Sequence, residues 1–153
     1  ELIGHLQSNK VNQVVGRFTR VQTLDSLKLI RKVQAAAEKI NHPMAILLQV
    51  NAGNDPAKYG FKIEESAFAL DEILKSSHLL IEGLMTIAPY SPEDPSVARK
   101  CFDQLAELRQ SLQESHGVSL DELSMGMSDD LFHAIAAGST MIRVGSALFG
   151  SRK

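Results

Sequence analysis

Cysteine occurs once in this chain of 153 residues, as Cys101, and tryptophan not at all. One thiol excludes a disulfide framework and a thiolate metal cluster, and it predicts a core thiol held in a reducing compartment. Aromatic side chains are sparse, with two tyrosines and six phenylalanines, and no basic run interleaves with them. The electrostatic and stacking footprint of a nucleic-acid binder is therefore missing, and no nucleic-acid partner is expected. Neither sign of charge dominates, since 16 basic side chains face 18 acidic ones. No apolar run approaches the roughly 20 residues of a membrane span, and no cationic segment leads into an apolar one at the N-terminus. These absences predict a soluble cytoplasmic protein with no membrane partner. The histidines, His5, His42, His78, His116 and His133, form no close pair on one helix face, so no metal site is expected.

Apolar and β-branched runs do recur, at Leu2-Ile3, Phe18 to Thr23, Ala45 to Val50, Leu79 to Ile87, Leu123 to Met125 and Met141 to Val144, giving six candidate strands. Segments of helical spacing lie between them. Leu27, Ile30, Val33, Ala37 and Ile40 follow a cap at Asp25 or Ser26, and Phe102, Leu105, Leu108 and Leu112 lie within Ser96 to Ser115. Shorter helical stretches are expected near Lys10 to Val15, Glu64 to Ser76 and Asp130 to Ala137. Strands alternating with helices predict an α/β protein with a parallel sheet and right-handed crossovers. No glycine-rich dinucleotide fingerprint or P-loop follows an early strand, which favours a (β/α) barrel over a doubly wound nucleotide binder. A complete barrel of this type needs eight strands and roughly 200 residues or more. Six strands, and an opening at Glu1-Leu-Ile-Gly without methionine, predict one partial barrel domain over 1–153, truncated by two β/α units. Its open edges invite self-association.

Chemistry concentrates near the end. Leu123-Ser-Met-Gly-Met-Ser128-Asp-Asp and Met141-Ile-Arg-Val-Gly-Ser146 are apolar strands running into hydroxyl- and glycine-rich turns. Barrels commonly bind phosphate on the loops after their last two strands, at the start of a short helix. Gly145 lets backbone approach an oxygen, and Ser128 and Ser146 supply rotatable donors. Arg143 alternates with Ile142 and Val144, so it faces the opposite side of its strand, into the barrel mouth. A buried guanidinium demands an acceptor. That acceptor is either a planar cofactor ring or a carboxylate such as Asp129 or Asp130.

Together with Ile3-Gly-His-Leu-Gln-Ser-Asn-Lys10, Gly83-Leu-Met-Thr-Ile87 and the run Gly138 to Gly150, these motifs resemble the pyridoxal 5′-phosphate (PLP) homeostasis protein family. That family is similar to the N-terminal barrel domain of alanine racemase. The resemblance implies a PLP-binding barrel that acts in cofactor supply rather than in catalysis. It also implies that Ser128 contacts the phosphate, that Gly145 and Ser146 cradle it, and that Arg143 faces the pyridine nitrogen. Met85 would line the ring or fill the core; Ser124 ranks below Ser128. The family's Schiff-base lysine sits on the first barrel strand, in a segment that would precede Glu1, and Glu1 itself stands where the family usually has a histidine.

The lysines present offer no replacement. Lys28, Lys32, Lys39, Lys75 and Lys100 fall on helical surfaces, Lys10, Lys58 and Lys62 in loops or caps, and Lys153 at the end, whereas a Schiff-base lysine needs a desolvating strand. PLP is accordingly expected to be held weakly, and catalytic residues are not assigned. The alternatives are a racemase-like PLP enzyme, which needs proton-transfer groups that are not visible here, and a barrel fragment that binds nothing. Ser8 or Asn9 is read as a helix cap, Asp129 as the cap of the helix after Ser128, and the turn-rich Asn51 to Gly60 as a surface loop rather than a lid.

Overall fold

The strands of the computed structural model, which describes residues 1–150, pair strictly in chain order. Strands β1 (Arg20–Leu24), β2 (Met44–Gln49), β3 (Leu79–Met85) and β4 (Glu122–Ser124) form a parallel sheet in the order β1-β2-β3-β4. Successive β/α crossovers of one hand, each landing beside the strand before, build the wall of a barrel. A doubly wound sheet reverses direction partway, and this one does not. Leu2 bridges Val21 and Met141 bridges Ser124, both parallel, so all six segments expected as strands lie side by side. The outer two pair through single bridges instead of ladders. Among the described residues each pairs with one neighbour, and beyond its bridge the Met141 segment is still held by Arg143 N–H donating to Gly126 O at 3.0 Å.

The helices are α1 (Val11–Val14), α2 (Leu27–Lys39), α3 (Ile63–Leu74), α4 (Pro95–His116), α5 (Leu131–Ala136) and α6 (Ser146–Phe149). Leu29, Ile30, Val33, Ala36 and Ala37 form the buried stripe of α2 at spacings of three and four. For α4, Asp94 accepts from Ser96 N–H, Pro95 occupies the first turn, and Gly117 closes the end in the left-handed region at φ 64°. These stripes pack on Val21, Ile46, Leu48, Leu84 and Leu123 of the sheet, with Phe102, Leu105, Leu70 and Ile73 fully buried between. Each such side chain contributes roughly 1.5–3 kcal/mol of burial. Two expected caps fall elsewhere. Lys10 holds the cap position of α1 with no side-chain bond, and Asp130, not Asp129, precedes α5. In the second case the turn after Ser128 is one residue longer than a cap at Asp129 needs.

The other face of the sheet is concave and polar. Ser124 of β4 lies 2.6 Å from Gln22 of β1, and Arg20 of β1 lies 3.8 Å from Glu122 of β4, although two strands separate them. In a flat sheet those strands would be about 14 Å apart at the usual spacing, so the sheet must curl. Curling is helped by a register shift in β3, where Ile46 pairs with Ile81 but Leu47 with Gly83, leaving Glu82 as the extra residue. Glu82 thereby meets Arg20, its Oε2 2.7 Å from Nε. The two atoms are not aligned as a hydrogen bond, so the attraction is Coulombic. Glu1, at 3.6 Å, joins the same arginine. At Gly83 any Cβ would sit 1.9 Å from Glu122 O, so only glycine admits β4 at this distance.

Candidate functional site

At the C-terminal ends of the strands the two last turns enclose a cleft of about 620 Å³, bounded by Ser128, Arg143, Gly145, Ser146, Gln22 and Ile3 among others. Strand β4 leads into the first turn through Met125 and Gly126. Gly126 has φ 95° and a Cβ there would meet Ala134 at 2.5 Å, so glycine is needed for the chain to double back under α5. The turn delivers Ser128 beside Ser146. Ser146 Oγ donates to Ser128 Oγ at 3.1 Å and Ala147 N–H lies 3.3 Å from the same oxygen, so the hydroxyls of both turns converge on one wall. Gly145 has open space where a Cβ would be. Asp129 also lines the cleft, while Asp130 Oδ1 braces the turn by accepting from Met127 N–H at 2.6 Å.

Arg143 reaches inward beneath this wall. Its Nη1 donates to Ser124 Oγ and its Nη2 to Thr86 O, both at 2.7 Å. Among the described residues no carboxylate lies within ion-pair distance of it, which removes the alternative of an arginine paired to Asp129 or Asp130. Desolvation by burial pulls the guanidinium below its ordinary value, opposed by the more distant charge of Asp130. Two of its five N–H directions are spent on these neutral oxygens. The other three have no hydrogen-bond partner among the described residues, and the side chain lines the cleft.

Four of the five residues singled out in the sequence, Ser128, Arg143, Gly145 and Ser146, thus share one cleft. Met85 lies below it: fully buried in β3, it pairs in register with Ser124 and with Gln49 and is not among the cleft-lining residues. Ser124, ranked low from its sequence, holds Arg143 directly. Gln22 and Thr86 escaped notice; the signal for Gln22 was a polar residue inside the apolar run Val21-Gln-Thr-Leu24. No lysine lines the cleft; Lys58 lines an adjoining one that shares Met127 and Asp129 as walls, and Lys153 lies outside the described residues.

Other reactive side chains have structural surroundings. His5 Nδ1 donates to Asp25 Oδ2 at 2.8 Å and the ring stacks on Tyr59 at 4.0 Å, tying three loops together. No group of three metal-ligating side chains occurs among the described residues. Burial pushes the Cys101 thiol up to about 11, against a weaker downward pull from Thr86, so it is no nucleophile at neutral pH. The Asn51 to Gly60 loop is braced by the Asn51 side chain, which accepts from Asp55 N–H at 3.0 Å and donates to Asp55 O at 2.8 Å. Among the described residues no helix is long and apolar enough to cross a membrane.

Comparison with known proteins places the chain. The family model of the alanine racemase N-terminal domain matches residues 2–153. The pyridoxal phosphate homeostasis protein of Aquifex aeolicus is 40% identical over 151 residues, covering 99% of this chain and 66% of that protein. Its counterpart from Synechocystis sp. is 42% identical over 152 residues, covering 98% and 68%. The chain therefore spans about two thirds of the length of these curated relatives. Among solved structures, PipY of Synechococcus elongatus PCC7942 with PLP bound superposes with a TM-score of 0.88 at 33% identity, covering 97% of this chain and 69% of PipY.

Proposed function

The chain belongs to the pyridoxal phosphate homeostasis protein family, within the alanine racemase N-terminal domain fold, and from that premise we propose that it binds PLP in the cleft. Its role is intracellular cofactor supply in the cytoplasm, with no substrate turned over. The observation that carries this reading is Arg143, a partly buried cation held by two neutral oxygens with donors left over for a ligand. The donor set fits the cofactor at both ends. Ser128 and Ser146 present hydroxyls to the phosphate, and Gly145 leaves room for an oxygen. Arg143 faces the ring nitrogen, and Met85 supports the floor beneath through its pairing with Ser124.

PLP supplies an aldehyde that condenses with amines and a ring that withdraws electrons once its nitrogen is protonated. Arg143 opposes that second property. A guanidinium has no acceptor and does not give up its proton, so it donates to the nitrogen and keeps it unprotonated. Among the described residues the cleft lining includes neither a lysine nor a histidine. A pocket that holds the ring and restrains its chemistry suits a carrier of the cofactor. The same reading takes 1–153 as one binding domain and includes self-association with a second copy, through the single-bridged edge segments at Leu2 and Met141.

Titration of the chain with PLP, followed by borohydride reduction and peptide mapping, tests the proposal. Saturable binding with no specific lysine adduct is expected. Binding should weaken at least about tenfold in Arg143→Ala, the cost of one or two hydrogen bonds to a charged group. Binding that does not saturate, or that ignores the substitution, overturns the reading.

A further inference from the structure

Arg143 is not held by its immediate neighbours alone. Its Nη1 donates to Ser124 Oγ at 2.7 Å, Ser124 Oγ donates to Gln22 Oε1 at 2.6 Å, and Gln22 Nε2 donates to Glu1 Oε2. The direction of this chain is dictated by its first member. Arginine has no acceptor, so the Ser124 oxygen must receive from it and the one hydroxyl proton must go elsewhere. Gln22 Oε1 takes that proton, which turns the amide nitrogen toward Glu1, with Met141 Sδ at 3.0 Å as a second contact. Every bond therefore points away from the guanidinium and the series ends on a carboxylate. Bonds aligned in this way polarise one another, each donor strengthened by the one before. Ser124 is fully buried and Gln22 is 2% exposed, so both sit where an unmatched polar group is costly.

The arrangement gives a partly buried cation neutral acceptors in place of an adjacent carboxylate. A carboxylate in direct contact would take two N–H groups of the arginine in a bidentate pair. Here the relay ends two side chains away on Glu1, which also faces Arg20 at 3.6 Å, and the guanidinium keeps its remaining donors toward the cleft. We propose that Gln22 and Ser124 are positioning residues that aim Arg143 at the ring nitrogen of the cofactor, with Glu1, which also faces Arg20, as the acceptor that ends the relay. The inference rests on the PLP-binding reading. Gln22 comes from β1 and Ser124 from β4, so the curl of the sheet itself brings the aiming groups together.

The test compares PLP with its 1-deaza analogue, which keeps the aldehyde and phosphate but replaces the ring nitrogen by C–H. Both are titrated against the unaltered chain, Gln22→Met, Ser124→Ala and Glu1→Gln. Gln22→Met and Ser124→Ala should each weaken PLP about tenfold, the size of one charge-assisted hydrogen bond, and change the analogue less than about twofold. Glu1→Gln should move PLP in the same direction by about threefold. The ratio of the two affinities does not depend on the fraction of protein folded, because the unfolded chain binds neither. Should Gln22→Met fail to fold, Ser124→Ala, which deletes one oxygen, decides alone. Equal losses on both ligands, or none on either, would make Gln22 and Ser124 interior packing and overturn the inference. If the unaltered chain binds PLP and the analogue equally, Arg143 does not touch the ring nitrogen; this inference falls and PLP binding stands. If it binds neither ligand, the proposed function itself falls.

Discussion

Two adjacent aspartates beside the proposed phosphate wall have opposite surroundings. Asp130 spends a carboxylate oxygen on Met127 N–H and thereby shapes the turn, whereas Asp129 lines the cleft without an ion pair among the described residues. A negative charge on that wall works against an anionic ligand. Across partly hydrated space the repulsion amounts to under about 1 kcal/mol. Asp129→Asn should therefore tighten binding of PLP, and of inorganic phosphate alone, by about threefold at low ionic strength. The gain should shrink as salt is added, since exposed charges are screened over roughly 10 Å at 0.1 M. Phosphate titrations at two ionic strengths decide it; an affinity that does not change at low salt means Asp129 is too well solvated to matter. At this scale the sequence supplied the identities of the donors, because hydroxyls and glycine after an apolar strand are a local pattern. It ranked Ser124 below Ser128 because nothing local reveals that Ser124 touches Arg143.

The junction of β3 and β4 depends on one missing side chain. A methyl group at Gly83 would press on the backbone oxygen of Glu122, which cannot turn aside as a flexible side chain can. Gly83→Ala should destabilise the chain by about 2–4 kcal/mol, the range of overpacking against a fixed neighbour. The urea midpoint should fall with little change in slope. An unchanged midpoint would mean that β4 shifts at no cost and that the close approach is not needed. Because Met85, Ser124 and Arg143 follow this junction, the same substitution should weaken PLP binding in the fraction that remains folded. Helices and strands were legible from periodicity to within a residue or two. The α4 boundaries at Pro95 and His116 follow from a cap, a proline and a terminal glycine, all visible in the chain. What escaped was the reduction of the outer two strands to single bridges, since pairing length depends on the neighbour and not on the segment.

The molecule as a whole is a curled sheet with helices on its convex side, polar groups in its hollow and a strand at each edge with one neighbour. Near its last turns lie exposed apolar side chains, Phe132, Ile135, Leu148 and Phe149. The proposed association with a second copy would cover this apolar surface. Sedimentation velocity should show a mass that rises with protein concentration, and Leu148→Lys should return it toward the monomer by weakening association about tenfold. That is the scale of losing one apolar contact of a leucine. A monomer at every concentration would remove self-association from the proposal.

Strand and helix positions and the two hydroxyl-rich turns were written in local patterns: alternation, helical spacing and turn residues act over a few neighbours and survive without knowledge of the rest of the chain. The partners of Arg143 were not. Ser124 and Gln22 stand 102 residues apart and meet because the sheet curls. Thr86 offers its carbonyl 57 residues away, and Glu1 closes the relay from the opposite end of the chain. Which side chains share the hollow depends on register, on the extra residue at Glu82 and on the space left by Gly83, and these are properties of strands already paired. A local pattern can place an arginine on the inward face of a strand, but only the curled sheet determines that it is partly buried and held by neutral oxygens, with no ion pair among the described residues.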